Sequence, residues 1–216
     1  FLDKIFFRSR NLDYISQNIK NITQHTSASK IFEAINNYSE AGEIRYVGGC
    51  IRKIIKKDNV DDIDLATNLT PSEVCEALKK RGISFYETGI EHGTITAIID
   101  EQKYEITSLR KDITTDGRHA NVEFSLDWKE DAGRRDFSIN SIYSNGEGDL
   151  FDPYNGKKDL EHGYINFIGD AESRIKEDYL RILRYVRFFT NYSNQKHNPE
   201  IIKIIKKNII GVSKLS

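Results

Sequence analysis

Apolar side chains along the first half of the chain repeat with two different periods. Runs with helical spacing alternate with short β-branched runs, which predicts helices interleaved with strands. The third helix has the clearest start, because Thr70 precedes Pro71 and Glu73 follows one turn later. We expect helices over residues 27–41, 50–57 and 70–81, and strands over residues 44–47, 62–66, 93–99 and 103–109.

The second half of the chain is predicted to change from mixed structure to helix. Residues 110–129 follow neither period and contain Asp116-Gly117, so we expect a mobile loop there. This order predicts an α+β fold, with a small mixed sheet flanked by helices and then an all-helical segment. We expect a helix over residues 134–142, short strands at 150–151 and 164–168, and helix from 173 onward with a break near 192–199.

Composition is that of a highly charged globular protein. A length of 216 residues with 38% apolar and 30% charged residues suits one domain or a domain and a half. No apolar run approaches the ~18 residues of a membrane span, so we expect no membrane association. Cys50 and Cys75 have no cysteine or histidine partners at zinc-finger spacing, which favours a reducing compartment.

Charge is distributed unevenly, although the net charge is only −1. Residues 174–214 contain ten Lys or Arg and three Asp or Glu, a surplus of seven that leaves about −8 for the remainder. An acidic part followed by a basic helical part suits an enzyme that grips a polyanion beside its active site. A merely solvated helix surface would show the same pattern, so the asymmetry only supports other observations.

Asp62 and Asp64 are separated by one residue in a predicted strand. Side chains two apart on a strand share a face, so these carboxylates are expected to stand side by side. Mg²⁺ suits such a place, because it uses one or two protein carboxylates together with water and phosphate oxygens. Glu105 on a later strand would complete this cluster or deprotonate an attacking hydroxyl, unless it is an ordinary solvent-facing acid.

Gly48 and Gly49 follow a short apolar strand and open a helical pattern. Their bare backbone N–H groups, at a helix N-terminus, would form a cradle for a phosphate chain. A lone Gly-Gly is more often an ordinary turn, and an Asp-x-Asp pair is more often solvated surface. Their occurrence at neighbouring strand ends favours nucleotidyl or phosphoryl transfer.

Residues 177–188 are predicted to form a helix with a polar stripe beside an apolar one. A carboxylate beside a guanidinium matches the hydrogen-bonding edge of cytosine and adenine and mismatches guanine and uracil. Asp178 with Arg181 would therefore select C and A, whereas an ordinary surface ion pair is the simpler alternative. The polar stripe is Asp178, Arg181, Arg184 and Arg187, and the apolar stripe, expected to pack on the domain, is Leu180, Leu183 and Val186.

These motifs together resemble the class II tRNA nucleotidyltransferases, the CCA-adding enzymes of the polymerase-β-like superfamily. The likeness covers about residues 25–190 and is strongest to alphaproteobacterial and mitochondrial members. It implies an N-terminal extension over residues 1–25, a polymerase-β-like head over 26–150, and the end of the head with an all-helical neck over 151–216. The motifs are Gly48-Gly-Cys-Ile-Arg52, Asp62-Ile-Asp64, Glu105-Ile-Thr-Ser-Leu-Arg110, Asp116-Gly-Arg-His-Ala120, Arg134-Arg-Asp-Phe-Ser-Ile-Asn140 and Glu177-Asp-Tyr-Leu-Arg-Ile-Leu-Arg184.

The resemblance also implies roles for individual residues in a reaction of a tRNA 3′-hydroxyl with CTP or ATP. Asp62 and Asp64 would hold two Mg²⁺ ions, with Glu105 as a third catalytic acid. The residues implied to bind nucleotide are Gly48, Gly49, Arg52, Arg135, Asp136, Asp178, Arg181, Arg184 and Arg187, and those implied to form a flexible loop are Arg110, Asp112, Asp116 and Arg118.

The activity implied is CCA addition to tRNA, in a bacterial cytoplasm or a mitochondrial matrix. The presence of the loop favours full addition, while CC-only, A-only and poly(A) addition are alternatives within the family. A catalytically silent RNA-binding module is an alternative from another class. Lys53 departs from the family, which has an acid there, and the absence of the family's helical body and tail predicts a fragment that adds nucleotides poorly.

Overall fold

The computed structural model describes the backbone of residues 2–89, 93–116 and 119–215, and the side chains of residues 14–87, 89, 93–111 and 123–215. Its helices are α1 (Leu2–His25), α2 (Ala28–Asn36), α3 (Gly49–Lys56), α4 (Pro71–Lys80), α5 (Trp128–Arg134), α6 (Gly156–His162), α7 (Ala171–Glu177), α8 (Leu180–Tyr192) and α9 (Pro199–Asn208). Its strands are β1 (Ile44–Val47), β2 (Ile63–Thr67), β3 (Ser84–Gly89), β4 (Thr94–Ile99), β5 (Gln102–Ser108), β6 (Arg110–Asp116), β7 (His119–Phe124), β8 (Tyr143–Ser144) and β9 (Leu150–Phe151). Short 3₁₀ segments follow at Ser138–Asn140 and Ile209–Lys214.

Seven strands form one sheet in the order β3-β4-β5-β2-β1-β8-β9, and β6 pairs with β7 separately. Within the large sheet, β2 and β5 are parallel and the other pairs are antiparallel. The parallel register places Asp64 beside Glu105. The predicted mixed sheet with flanking helices, followed by helical structure, is therefore confirmed.

The two largest of the three apolar clusters formed by the described residues support these layers. The larger one joins the sheet to α1–α4, with Ile19, Ile35 and Ile51 fully buried. The other lies in the helical part, where Phe137 and Tyr185 are buried. Among the described residues, no helix combines the length and the apolar character that crossing a membrane requires. The proposed division of the chain at residues 25 and 150 stays a prediction.

Most short-range predictions in the first half are confirmed. The capping box that starts α4 is present, since the Thr70 side chain accepts a hydrogen bond from the Glu73 backbone and Glu73 bonds back to Thr70. The turn between β4 and β5 forms at Asp100 and Glu101, both with positive φ. The elements of the first half that the sequence did not predict are α1 and β3, and β8 and α6 were not predicted in the second half.

Three predictions of secondary structure in the second half are wrong. Residues 110–129 contain the paired strands β6 and β7 and the start of α5, rather than irregular loop alone. Residues 134–142 are not one helix, because α5 ends at Arg134 and Arg135 has the extended ψ of 159°. Residues 164–168 contribute a single bridge, between Phe137 and Phe167, instead of a strand.

The predicted helix over residues 177–188 is also interrupted, and its buried face differs from the prediction. Asp178 has the extended φ of −154°, so α7 ends before it and α8 begins after Tyr179. Leu183 and Val186, expected to pack on the domain, are 47% and 51% exposed. The buried face of α8 consists of Arg181, Ile182, Tyr185 and Phe188.

Candidate active site

The Gly48-Gly49 turn brings the N-terminus of α3 against a carboxylate. Gly48 has a φ of 69°, which glycine adopts without strain, and this lets α3 begin directly after β1. A Cβ added to Gly49 would lie 3.6 Å from Oδ2 of Asp64, and one added to Gly48 would lie 3.8 Å from the same oxygen. The absence of both side chains therefore keeps the helix N-terminus open beside Asp64.

Opposing influences act on the pKa of Asp64. Burial raises the pKa of Asp64, the charges of Arg135 and Arg52 lower it, and the charge of Asp62 raises it further, with a net rise above the ordinary value. A backbone hydrogen bond from Gly49 also lowers this pKa. Asp62 thus lies close enough to interact with Asp64. A cation between them would offset the cost of burying the Asp64 charge and the repulsion between the two carboxylates.

Glu105 lies in register with Asp64 on the neighbouring strand but is exposed and does not line the cavity described below. Within the described part of the chain, no group of three or more His, Cys, Asp or Glu side chains is arranged to hold a metal ion. Glu105 is therefore a neighbour of Asp64 without completing a three-carboxylate cluster. Asp62 is likewise exposed, one residue before β2.

A cavity of about 580 Å³ lies where the N-terminus of α3 faces α8. Its lining contains seven arginines and four acids, a formal surplus of three positive charges that suits a polyanionic ligand. The arginines are Arg52, Arg110, Arg134, Arg135, Arg181, Arg184 and Arg187, and the acids are Asp64, Asp136, Glu177 and Asp178. Gly48, Gly49, Asn140, Leu180 and Phe188 complete the lining.

Arg52 connects α3 to the opposite wall of this cavity. Its guanidinium donates a hydrogen bond to Oδ1 of Asn140 and lies 4.9 Å from the ring centre of Phe188. Its buried Nε has no hydrogen-bond acceptor among the described residues. A buried donor of this kind, beside an open helix N-terminus, is suited to an anionic oxygen.

Asp136 and Arg184 form an ion pair across the cavity, with Nε of Arg184 donating to Oδ2 of Asp136 at 2.5 Å. The other oxygen of Asp136 accepts from Nδ2 of Asn140 at 2.6 Å. Burial raises the pKa of Asp136, but the charge of Arg184 and these hydrogen bonds hold it below its ordinary value. The pair fixes the start of the 3₁₀ segment relative to α8.

Asp178 and Arg181 both line the cavity, and they are joined by a backbone hydrogen bond from the N–H of Arg181 to the carbonyl of Asp178 at 3.1 Å, while the side chain of Arg181 pairs with Glu177. Oδ1 of Asp178 accepts the backbone N–H of Leu180, the first residue of α8, at 2.9 Å. NH1 of Arg181 donates to Oε2 of Glu177 at 2.6 Å and to the carbonyl of Arg174 at 2.8 Å. Both side chains are thereby oriented from behind by neighbouring groups.

Arg135 is partly buried beside the Gly48-Gly49 turn. Its NH2 donates to Oδ2 of Asp131 at 3.1 Å, and its Nε donates to the hydroxyl of Tyr143 at 2.9 Å. NH1 of the same guanidinium lies 4.0 Å from the position that a Cβ of Gly48 would take. The extended conformation of Arg135, which the sequence did not predict, directs it there.

Three of the four predicted flexible-loop residues lie on β6. Arg110, the first residue of β6, lines the cavity. Asp112 and Asp116 belong to the paired part of β6, and nothing further is described of their side chains. Arg118 lies outside the described residues. The role of this hairpin in the reaction stays a prediction.

Lys53, where the resembling family has an acid, forms an ion pair with Asp61.

Several cavity residues were not assigned a role from sequence, namely Arg134, Asn140, Glu177, Leu180 and Phe188. The sequence signal available for Arg134 and Asn140 was that both belong to the motif Arg134-Arg-Asp-Phe-Ser-Ile-Asn140. For the buried Asp131 it was the spacing of three and four residues to Arg134 and Arg135, the separations at which side chains on a helix interact.

Comparison with known proteins decides the family. Residues 44–166 match the family described as "Poly A polymerase head domain". The chain belongs to this family. It is 45% identical over 180 residues to the mitochondrial CCA tRNA nucleotidyltransferase 1 of Homo sapiens, covering 82% of this chain and 42% of that protein. It is 39% identical to the CCA-adding enzyme of Oceanobacillus iheyensis, covering 76% of this chain and 41% of that protein.

Solved structures described as a CCA-adding enzyme and a tRNA nucleotidyltransferase are similar to this chain in fold. The Bacillus stearothermophilus CCA-adding enzyme in complex with CTP has a TM-score of 0.74 at 27% identity, over 87% of this chain and 45% of that one. A tRNA nucleotidyltransferase complexed with a primer tRNA and an incoming ATP analog has a TM-score of 0.63 at 27% identity, over 79% and 48% of the two chains. The chain thus spans less than half the length of the relatives it matches.

Proposed function

We propose that this chain forms the catalytic head of an enzyme that adds CCA to the 3′ end of tRNA from CTP and ATP. The observation that carries the proposal is the meeting of the Gly48-Gly49 turn and Asp64 with seven arginines in one cavity. Relatives named CCA-adding enzymes, and a solved relative in complex with CTP, support this assignment. The expected product besides the extended tRNA is pyrophosphate.

The donor set fits a magnesium-dependent reaction. Nucleotidyltransferases of this family are generally metal-dependent. Asp62 and Asp64 offer two adjacent carboxylates whose mutual repulsion a cation would relieve. Since the described residues provide no third ligand, the remaining positions would be filled by water and triphosphate oxygens, which is the usual manner of Mg²⁺. Two bound Mg²⁺ ions would supply stabilisation of charge on the attacking and leaving oxygens.

The protein residues would act mainly by placing the nucleotide. The N–H groups at the start of α3 and the guanidinium groups of Arg52 and Arg135 would hold the triphosphate, because all of them converge beside Asp64. In-line attack by the tRNA 3′-hydroxyl oxygen on the α-phosphorus would form the new P–O bond. The bond from the α-phosphorus to the bridging oxygen of pyrophosphate would break, and the hydroxyl proton would leave to a base or to water.

Base selection is assigned to Asp178 and Arg181, which lie at the far wall of the same cavity. Their acceptor and donor groups match cytosine and adenine, and Glu177 fixes the guanidinium of Arg181 from behind. Asp136 and Arg184, joined by an ion pair, would contact the ribose side of the nucleotide, with Arg187 contributing positive charge. The base is thereby selected by protein groups, without a nucleic-acid template.

An incorporation assay tests the proposal. The chain would be incubated with Mg²⁺, a tRNA lacking its CCA end, and each labelled nucleoside triphosphate in turn. Incorporation of C and then A supports CCA addition, while long tails of A would support the poly(A) polymerase activity for which the matched family is named. Bound tRNA and nucleotide without incorporation, in a version extended to the length of the relatives, would favour a catalytically silent RNA-binding module.

The compartment is proposed from the same relatives. Similarity to vertebrate mitochondrial enzymes and to bacterial enzymes suggests a mitochondrial matrix in a eukaryote or the cytoplasm in a bacterium. Fluorescent tagging of the gene product in its own host would distinguish these places. A signal confined to a membrane would contradict both.

A further inference from the structure

Asp131 of α5 lies behind the cavity, does not line it, and is only 1% exposed. We infer that this carboxylate is a positioning residue for nucleotide binding, acting through Arg134 and Arg135 and through the first residue of β6. The inference rests on the proposed function, since it concerns how the same cavity holds its nucleotide. It adds a residue that touches no substrate atom.

Each oxygen of Asp131 holds a different arginine. Oδ1 accepts from Nε and NH2 of Arg134, both at 2.8 Å, in a two-point contact. Oδ2 accepts from NH2 of Arg135 at 3.1 Å and from the hydroxyl of Tyr143 at 2.6 Å. Two-point contacts restrict the orientation of a guanidinium as well as its position. One carboxylate thus fixes two neighbouring arginines that point into the cavity.

The arginines held in this way are placed where a triphosphate would need them. NH1 of Arg135 approaches the Gly48 position within 4.0 Å, and the charge of Arg135 is the largest influence that lowers the pKa of Asp64. A free arginine side chain has many rotamers, and ordering it on binding weakens affinity. Asp131 orders both side chains before a nucleotide arrives.

The same carboxylate also connects the hairpin to this cluster. Oδ1 accepts the backbone N–H of Arg110 at 3.3 Å, at the start of β6. Arg110 itself lines the cavity. The base of the β6–β7 hairpin and the two arginines are therefore fixed to a single buried group. A displacement of the hairpin base would also shift Arg134, because Arg134 and the backbone of Arg110 both donate to Oδ1 of Asp131.

Asp131→Asn tests the inference, because the amide keeps the shape and removes the charge. The measurement is the dissociation constant of CTP, and separately of ATP, by calorimetric titration with Mg²⁺ and without tRNA. We expect about tenfold weaker binding of both nucleotides, the scale of a lost charge-assisted contact. Asp131→Glu keeps the charge and should recover part of this loss.

The matched control is Asp152→Asn. Asp152 is a partly buried carboxylate that, like Asp131, accepts backbone hydrogen bonds, here from Gly156 and Lys157 at the start of α6. Within the described part of the chain it contacts no cavity arginine in the way Asp131 does, and it does not line the cavity. It should reduce thermal stability and leave nucleotide affinity within about twofold, the usual behaviour of independent sites. Equal affinity losses in both variants would show a general effect of destabilisation and would overturn the inference.

A double-mutant cycle separates positioning from a merely structural role. If Asp131 acts through the arginines, Asp131→Asn should change affinity by less than about twofold in a chain that already carries Arg134→Gln and Arg135→Gln. An undiminished loss in that background would contradict the inference. Binding needs no tRNA, so a chain that binds CTP without adding it would defeat the proposed function and leave this result intact.

Tyr143→Phe provides a second variant should Asp131→Asn fail to fold. It removes the hydroxyl that bonds both Oδ2 of Asp131 and Nε of Arg135, and keeps the ion pairs. We expect CTP affinity to fall about threefold, in line with one neutral hydrogen bond. Unchanged affinity in this variant would count against a positioning role for the network.

Discussion

Lys53 forms an ion pair with Asp61, and the same oxygen of Asp61 accepts the backbone N–H of Asp62 at 3.1 Å. The contact joins α3, which starts at the Gly48-Gly49 turn, to the segment that leads into β2 and carries Asp62. The positive charge at position 53, where the resembling family has an acid, is therefore balanced inside this chain. Its departure from the family pattern does not leave an isolated charge at the site.

Reversing Lys53 should disturb the site more than removing it. In Lys53→Asp, two like charges would face each other and displace the segment before Asp62, so we expect kcat for C addition to fall about tenfold. Lys53→Ala should lose less, because Asp61 is 71% exposed and such pairs contribute little on their own. The exchange variant Lys53→Asp with Asp61→Lys should restore kcat. An exchange variant as slow as Lys53→Asp would contradict the role of the pair.

Asp64→Asn and Asp62→Asn should each abolish incorporation, since either change removes a proposed magnesium ligand. A loss of at least about a thousandfold in kcat is expected for groups that stabilise charge in the transition state. Glu105→Gln is the comparison variant, because Glu105 shares the register of Asp64 but, unlike Asp62, is not among the charges that shift the pKa of Asp64. An equally large loss for Glu105→Gln would show that it is the base or a third ligand after all.

Asp178→Ala should loosen the choice of base more than it weakens triphosphate binding. We expect discrimination between CTP and UTP to fall by about ten- to a hundredfold, the scale of a lost specific hydrogen-bond contact. Competition assays with all four nucleotides measure this ratio, and the affinity for inorganic triphosphate provides the control. Equal losses for all four nucleotides would contradict the base-reading role.

The buried Asp131 should make stability depend on pH in the acid range. Burial raises its pKa, but the charges of Arg135 and Arg134 and the hydrogen bond from Tyr143 outweigh this and hold the pKa at about 2. A carboxyl group with a lowered folded-state pKa stabilises the protein above the unfolded value near 3.8, and this contribution is lost as pH falls towards 2. The contribution is on the order of 2 kcal/mol at neutral pH.

Urea unfolding of the wild-type chain and Asp131→Asn at several pH values measures this contribution. The difference in unfolding free energy should be largest above pH ~5 and should shrink as pH falls below about 4. The exposed Asp170, also with a lowered pKa, offers Asp170→Asn as a comparison with a smaller effect. A difference for Asp131→Asn that is constant with pH would contradict the assigned ionisation.

The parts of the site that sequence predicted were those governed by local signals. Gly48, Gly49 and Asp64 need only strand periodicity and glycine geometry, and they meet because β1 and β2 are neighbours. Asp62 was expected beside Asp64 on the same strand, but it lies one residue before β2, is exposed and does not line the cavity. Glu105 lies beside Asp64 because β2 and β5 are adjacent, a placement that the sequence had left open. What the alternation could not show was that Glu105 would be exposed while Asp64 is partly buried.

The errors arose where two patterns were equally consistent with the residues. In α8, Leu183 and Val186 offered one apolar face, and Ile182 and Tyr185 offered another. Tertiary contacts with Phe137 and Phe167 decided in favour of the second, since Tyr185 packs on both rings. Helical periodicity alone carries no information on which neighbouring rings will be present.

The residue type at position 178 indicated the break between α7 and α8, but helical periodicity does not take residue type into account. Aspartate is a preferred N-terminal cap, and the Asp178 side chain accepts the backbone N–H of Leu180 while its own backbone is extended. The β6–β7 hairpin lacked an apolar alternation, although Thr114, Thr115 and Val122 have β propensity. Strands can pair through backbone hydrogen bonds without such an alternation, so the hydrophobic pattern did not indicate β6 and β7.

The central claim is that Asp62 and Asp64 bind divalent ions around a nucleotide that lies along the Gly48-Gly49 turn. A crystal structure with CTP and Mn²⁺, in which the anomalous signal locates the metal, tests this most directly. We predict a peak about 2 Å from carboxylate oxygens of both aspartates, with the triphosphate at the start of α3. Metal and nucleotide bound away from these two carboxylates would contradict the claim.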